Sequence, residues 1–203
     1  MSILPPLKGE KKPLNHTLQA RQRIIVGLSW DAREDKVKFL DRFVKKDSQH
    51  DLDLTCYIYN AQGEFIDYVG AEAQDSMDES GKIYHSGDDM SGAGDGDDET
   101  ISAELAQLPP EVHGIVFLVE VRSNHSFACV DAPFARLADG MTDTNLLETS
   151  ISGDEAARSN AFVMCSIFKN PDSSTGWILY NISEFPDISH IADWGSYLAQ
   201  FVD

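Results

Sequence analysis

Residues 51–59, DLDLTCYIY, alternate with a period of two. On a β-strand this puts Leu52, Leu54, Cys56 and Ile58 on one face and Asp51, Asp53, Thr55, Tyr57 and Tyr59 on the other. The first face belongs in a core. The second is acidic at one end and aromatic at the other, where Tyr57 and Tyr59 could stack a ligand. Residues 61–63 form a turn, and residues 64–69 return as a second strand.

Outward from this hairpin the chain repeats the same kind of signal. Residues 23–30 (RIIVGLSW) and 114–121 (GIVFLVEV) are short apolar runs rich in β-branched residues, the pattern of buried strands. Residues 127–137, 146–152, 160–168 and 176–183 are further strand candidates. Polar turns at Asp139-Gly140, Gly153-Asp154 and Asn170-Pro171-Asp172 separate them. Many short strands with polar turns predict an all-β fold, a β-sandwich of two mainly antiparallel sheets. Residues 31–47 are charged and suit a loop or a short amphipathic helix. Residues 1–15, polar and proline-bearing, are expected to be a loose lead-in. Residues 186–203 carry Ile191, Trp194, Leu198, Phe201 and Val202 at helical spacing. They predict a short C-terminal helix capped by Asp187 or Ser189, although Gly195 interrupts the pattern.

The 203 residues are 42% apolar, enough for one sizeable core, so a single domain is expected. No run of 18 apolar residues exists, which argues against a membrane-spanning helix. Residues 1–13 lack the apolar segment of a signal peptide. Cys56, Cys129 and Cys165 are scattered and odd in number, as expected of reduced, buried thiols in the cytoplasm. The net charge of −18 argues against a nucleic-acid partner. Residues 1–46 hold 11 of the 16 basic residues and 5 of the 34 acids, leaving 29 acids against 5 bases beyond them. This polarity suits either solubility or head-to-tail self-association.

The longest interruption of the strand pattern is residues 70–100. Within it, residues 87–99 read GDDMSGAGDGDDE, with carboxylates at Asp88, Asp89, Asp95, Asp97, Asp98 and Glu99 and glycines at 87, 92, 94 and 96. Six like charges in so short a loop repel one another unless neutralised. Calcium, which takes six to eight oxygens in flexible geometry, fits this composition better than magnesium with its strict octahedron. Asp51 and Asp53, side by side on one strand face, could complete such a site. The loop is not an EF-hand, because Met90 and Gly92 fall on ligand positions and Ala93 on the required glycine.

The order of these segments resembles the TerD family of tellurium-resistance and stress-response proteins. Residues 26–31 (VGLSWD) are similar to the family's early GLGWD strand and residues 51–54 to its DLD strand. Residues 85–99 (HSGDDMSGAGDGDDE) are similar to its signature loop, residues 114–121 to the strand that follows, and residues 127–137, weakly, to FGQVxNAFIRL. The resemblance runs over residues 7–184. It implies one TerD-like β-sandwich domain across the chain and two adjacent calcium sites. It implies that Asp51, Asp53, Asp88, Asp89, Asp95, Asp97, Asp98 and Glu99 supply the ligands. It also implies no catalytic residues, and a cytoplasmic protein working with other Ter-type proteins in a complex peripheral to the inner face of the membrane. Asp89 stands where the family has Asn, Ala93 where it has an acid, and residues 186–203 replace its glycine-rich end.

Three functions compete at this level. The first is a non-enzymatic calcium-binding scaffold or sensor. The second is a metal-dependent hydrolase, such as a phosphoesterase, using the aspartate cluster with His85 as the available base. The third is thiol chemistry, disfavoured by the absence of a CxxC pair and of basic neighbours. The GAGDG run lacks the spacing and the lysine of a phosphate-binding loop.

Overall fold

A computed structural model of the chain describes residues 4–14, 22–31, 51–89, 96–122, 125–172 and 176–203. The strands are β1 (Lys11–Pro13), β2 (Arg23–Asp31), β3 (Leu52–Tyr59), β4 (Phe65–Val69), β5 (Ile83–His85) and β6 (Glu99–Glu104). They continue as β7 (Gly114–Val121), β8 (Asp131–Asp139), β9 (Thr144–Ser150), β10 (Ala161–Lys169) and β11 (Trp177–Glu184). One sheet has the order β1-β11-β10-β7-β3-β4 and the other β5-β6-β2-β8-β9. Every pairing is antiparallel. The fold is the all-β sandwich expected, with one short α-helix among the described residues, α1 (Trp194–Leu198), near the C-terminus. Among the described residues no helix is long and apolar enough to cross a membrane.

The core between the sheets takes Ile24, Val26 and Leu28 from β2, Leu52, Leu54, Cys56 and Ile58 from β3, and Ile115, Phe117 and Val119 from β7. The alternation in β3 is therefore read correctly on its apolar face. Its other face is not a solvent face. Tyr59 is fully buried, with Val116, Leu118, Val163 and Ile182, beneath Leu198, Phe201 and Val202 of the C-terminal segment. The six-stranded sheet is thus covered on both sides, which is why 114–121 is apolar almost throughout rather than alternating. Tyr59 Oη donates to the Gly195 carbonyl at 2.8 Å, and the Tyr57 ring packs against Phe65 and Tyr68. Tyr59 thus holds the C-terminal segment and Tyr57 is engaged by β4 rings, so neither forms an open stacking surface.

That segment is anchored by polar side chains as well. Trp194 Nε1 donates to Glu120 Oε1 at 3.0 Å, and Tyr197 Oη donates to Glu184 Oε1 at 2.7 Å. The helix cap is Asp193, whose Oδ1 accepts from Ser196 N at 2.7 Å; Asp187 caps the preceding 3-10 turn, Ile188–His190, instead. Gly195 interrupts the helical pattern because the Phe65 ring lies 3.3 Å from where its Cβ would be.

Several boundaries differ from expectation. Residues 4–14 are not a loose lead-in: β1 pairs with β11, Leu14 N donates to the Trp177 carbonyl at 2.7 Å, and Leu14 is buried. Residues 127–137 are not one strand. Phe127–Cys129 is a 3-10 turn and β8 starts at Asp131, with a bulge near Ala132 (φ +48°) and Pro133, where proline cannot donate to the ladder. The expected loop over 70–100 contains β5 and the start of β6. The expected loop or helix over 31–47 lies outside the described residues apart from Asp31.

Leu198 is fully buried on the outer face of the six-stranded sheet. Leu198→Ala is expected to lower the unfolding free energy by about 2–4 kcal/mol, the usual range for a buried leucine, as read by urea denaturation.

Candidate metal centre

The site forms where β3 loses its neighbour. The last β3–β4 pair is Cys56 with Val69, so the first residues of β3 lie beyond the end of β4. There the Leu54 amide donates at 2.8 Å to Glu99 Oε2, a carboxylate at the start of β6 in the opposite sheet. Glu99 is fully buried. It is supported by His85: Gly87 N donates to His85 Nδ1 at 3.0 Å, which leaves the hydrogen on Nε2, facing Glu99 Oε2 at 3.3 Å. His85, the base that a hydrolase reading would use, is thereby tied to the backbone through Nδ1 and buried against Glu99.

The two residues before Glu99 are tied down in the same manner, each to a different strand. Asp98 Oδ2 accepts from Trp30 N of β2 at 2.9 Å, and its own amide donates to the Leu28 carbonyl at 2.8 Å. Asp97 is held by the Arg136 guanidinium of β8 through contacts of 2.8–3.0 Å, and Arg136 reaches on to Asp143 and Asn145. This fork pushes Arg136 above its ordinary range. Asp97 sits over Gly27, where a Cβ would lie 2.3 Å from its carboxylate. Gly96, at φ +108°, makes the turn that starts this run of three acids.

The remaining acids converge. One carboxylate oxygen from each of Asp51, Asp53 and Asp88 lies within 4.8 Å of the others. Asp53 is buried, Asp51 half-buried and Asp88 exposed. Asp51 Oδ1 is shielded from solvent and accepts no hydrogen bond from a described residue. Burial, and then the charges of Asp53, Asp88 and Glu99, push the Asp51 carboxyl up to about 7. Burial also raises Asp53, opposed by its hydrogen bond from Arg122. Burial raises Asp98 too, with the charges of Asp89, Asp31 and Asp97 adding to it, so those acids form a second negative region beside the first. Oxygen-only donors of this kind, partly withdrawn from water and compensated only at Asp53 by Arg122 among the described residues, suit a hard cation and no soft one.

Of the eight acids singled out in the sequence, three come together in one cluster, and Glu99 stands behind them. Asp97 and Asp98 fasten the loop, and Asp89 donates its amide to Glu99 Oε1 at 3.4 Å. Asp95 lies outside the described residues. Reading acids alone misses Arg122 and Arg136. The available signal was their rarity: two of the five basic residues beyond residue 46 touch this set of carboxylates. All three cysteines are free. Burial pushes the Cys56 and Cys165 thiols up, away from thiolate, whereas Cys129 is only half-buried.

Two outcomes follow from this geometry. Because Asp51 titrates higher when folded than when unfolded, protonation favours the folded state. In protein stripped of divalent ions, its contribution is full below about pH 4, the ordinary aspartate range, and is lost as pH rises through about 7. Asp51→Asn is expected to flatten the fall in melting temperature over that interval. Gly27→Ala is expected to dislodge Asp97 from Arg136 and to cost about 1–3 kcal/mol, the range for forced overpacking, measured by chemical denaturation.

A model of the TerD domain matches residues 6–178. The chain is 28% identical over 210 residues to tellurium resistance protein TerX of Serratia marcescens, covering 92% of this chain and 97% of that one. It is 33% identical over 133 residues to tellurium resistance protein TerZ of the same organism, covering 66% and 67%. General stress protein 16U of Bacillus subtilis (strain 168) is 28% identical over 159 residues, covering 72% and 74%. Among solved structures, a homologue of telluride resistance protein (TerD) from Streptomyces coelicolor A3(2) superposes with a TM-score of 0.66 at 21% identity, over 88% of this chain and 95% of that one, a likeness of fold. With its strand order, its acidic loop and nearly its whole length matched in this way, the chain belongs to the TerD family.

Proposed function

We propose that this protein is a calcium-binding, non-enzymatic scaffold or sensor of a tellurium-resistance and stress response. The observation that carries the reading is the cluster of Asp51, Asp53 and Asp88, with the buried Asp51 Oδ1 unmatched by any described donor. A calcium ion would take these three carboxylates, with Glu99 holding β3 and β6 in place behind them. The cation supplies positive charge beyond the single arginine at Asp53 and fastens residues 86–89 to the start of β3. A second, adjacent ion would take Asp89 and Asp98, whose mutual repulsion is already felt at Asp98.

The names of the relatives support the cellular side of this reading: TerX and TerZ are tellurium resistance proteins, and 16U is a general stress protein. In this reading the ion-ordered loop presents a surface to other Ter-type proteins. The protein acts in the cytoplasm, at the inner face of the membrane where such a complex is assembled.

The test is calcium calorimetry and thermal melting on chelator-stripped protein. Saturation by one or two ions, with about 2.7 kcal/mol of added stability at 100 times the dissociation constant, is expected. Asp53→Asn and Asp88→Asn each abolish or weaken the first binding event. A flat titration with no shift in melting would mean that the cluster is a solvated acidic edge.

A further inference from the structure

Two arginines face the acids of this site, and they are held differently. Arg136 is locked: its side chain is 19% exposed, and it is shared among Asp97, Asp143 and Asn145. Arg122 is not. Its side chain is 47% exposed, while its partner Asp53 is 8% exposed. The carboxylate is fixed in the sheet, and the guanidinium has a path to water.

The position of Arg122 is set by register. It follows β7 directly, and its amide donates to the Asp51 carbonyl at 3.0 Å, which places it across the ladder from Asp51 and diagonal to Asp53. Its Nε donates to Asp53 Oδ2, and Nη2 donates to Glu72 Oε1 at 3.3 Å. Glu120, the residue directly opposite Asp53, is another acid. Arg122 therefore offsets a concentration of negative charge at this end of the sheet.

We propose that Arg122 is the resident counter-charge of Asp53 and competes with calcium for that carboxylate, setting the affinity of the site. The inference rests on the calcium reading above. A guanidinium stays charged at every accessible pH, so it remains a competitor for Asp53 Oδ2 whatever the pH. A divalent ion on the Asp51, Asp53 and Asp88 cluster meets this charge at short range and displaces it. Glu72, exposed and already in contact, retains Arg122 after it leaves Asp53. By linkage, whatever draws Arg122 toward another anion strengthens calcium binding, and calcium in turn frees the guanidinium for an anion.

The direction of this effect separates competition from support. Calcium alone is titrated calorimetrically into chelator-stripped wild type, Arg122→Gln and Arg122→Lys. Arg122→Gln is expected to bind roughly two- to fivefold tighter, the scale of a partly exposed ion pair, and Arg122→Lys to stay near wild type. On wild-type protein, calcium is expected to convert the Arg122 Nε–H resonance from protected to rapidly exchanging. Equal or weaker binding by Arg122→Gln, or an Nε–H that stays protected with calcium bound, overturns the proposal. Calcium binding of equal strength in all three proteins defeats the Arg122 inference alone. No binding by any of them defeats the calcium reading with it.

Discussion

On the side of β3 away from β7, where β4 has ended, the Leu54 amide meets the Glu99 carboxylate. This one hydrogen bond crosses from the start of β6 to the open edge of β3 and so joins the two sheets at the site. Burying a carboxylate is expensive unless it is matched by donors. Glu99 is matched by the Leu54 amide and the Asp89 amide, with the His85 ring close by at 3.3 Å. With Glu99 fixed, Asp97 and Asp98 are tied back to β8 and β2, and Asp88 comes to Asp51 and Asp53.

Six carboxylates near one edge are thus sorted by what opposes their charge. Asp97, Asp98 and Glu99 have donors supplied by the fold: a guanidinium, a strand amide and a sheet-edge amide. Asp51, Asp53 and Asp88 have each other and, for Asp53, an arginine that is half in water. Repulsion is tolerated where backbone and arginine offset it and is left standing where the three converge. The upward shift of the Asp51 carboxyl is the local measure of that imbalance.

Much of the fold was legible in the chain because burial and periodicity agree. The alternation of 51–59 and the apolar runs 23–30 and 114–121 correspond to β3, β2 and β7 within a residue or so. What was not legible has physical causes. β5 is three residues long, and β6 begins with Glu99, so both lay hidden inside an acidic, glycine-rich stretch. The second face of β3 looked solvent-facing because Asp53 and Thr55 are polar, yet Tyr57 and Tyr59 were already the signal of a second covering layer. At the site, composition identified the acids but could not divide ligands from fasteners. That division depends on which acid meets an amide or an arginine, a matter of register between strands far apart in the chain.

The placement of β2 has a consequence for assembly of the fold. This apolar strand is central in its sheet, but its neighbours are β6 and β8, and β1 just before it pairs with β11. A chain emerging from the ribosome must therefore carry residues 23–31 unpaired until β6, at residues 99–104, has been made, and half-paired until β8 follows at 131–139. Folding waits on distant contacts, a feature of slow-folding topologies, and the interval leaves an aggregation-prone strand exposed. The strong negative charge of the later chain then serves the nascent protein too, keeping neighbouring unfinished chains apart while β2 waits for its partners.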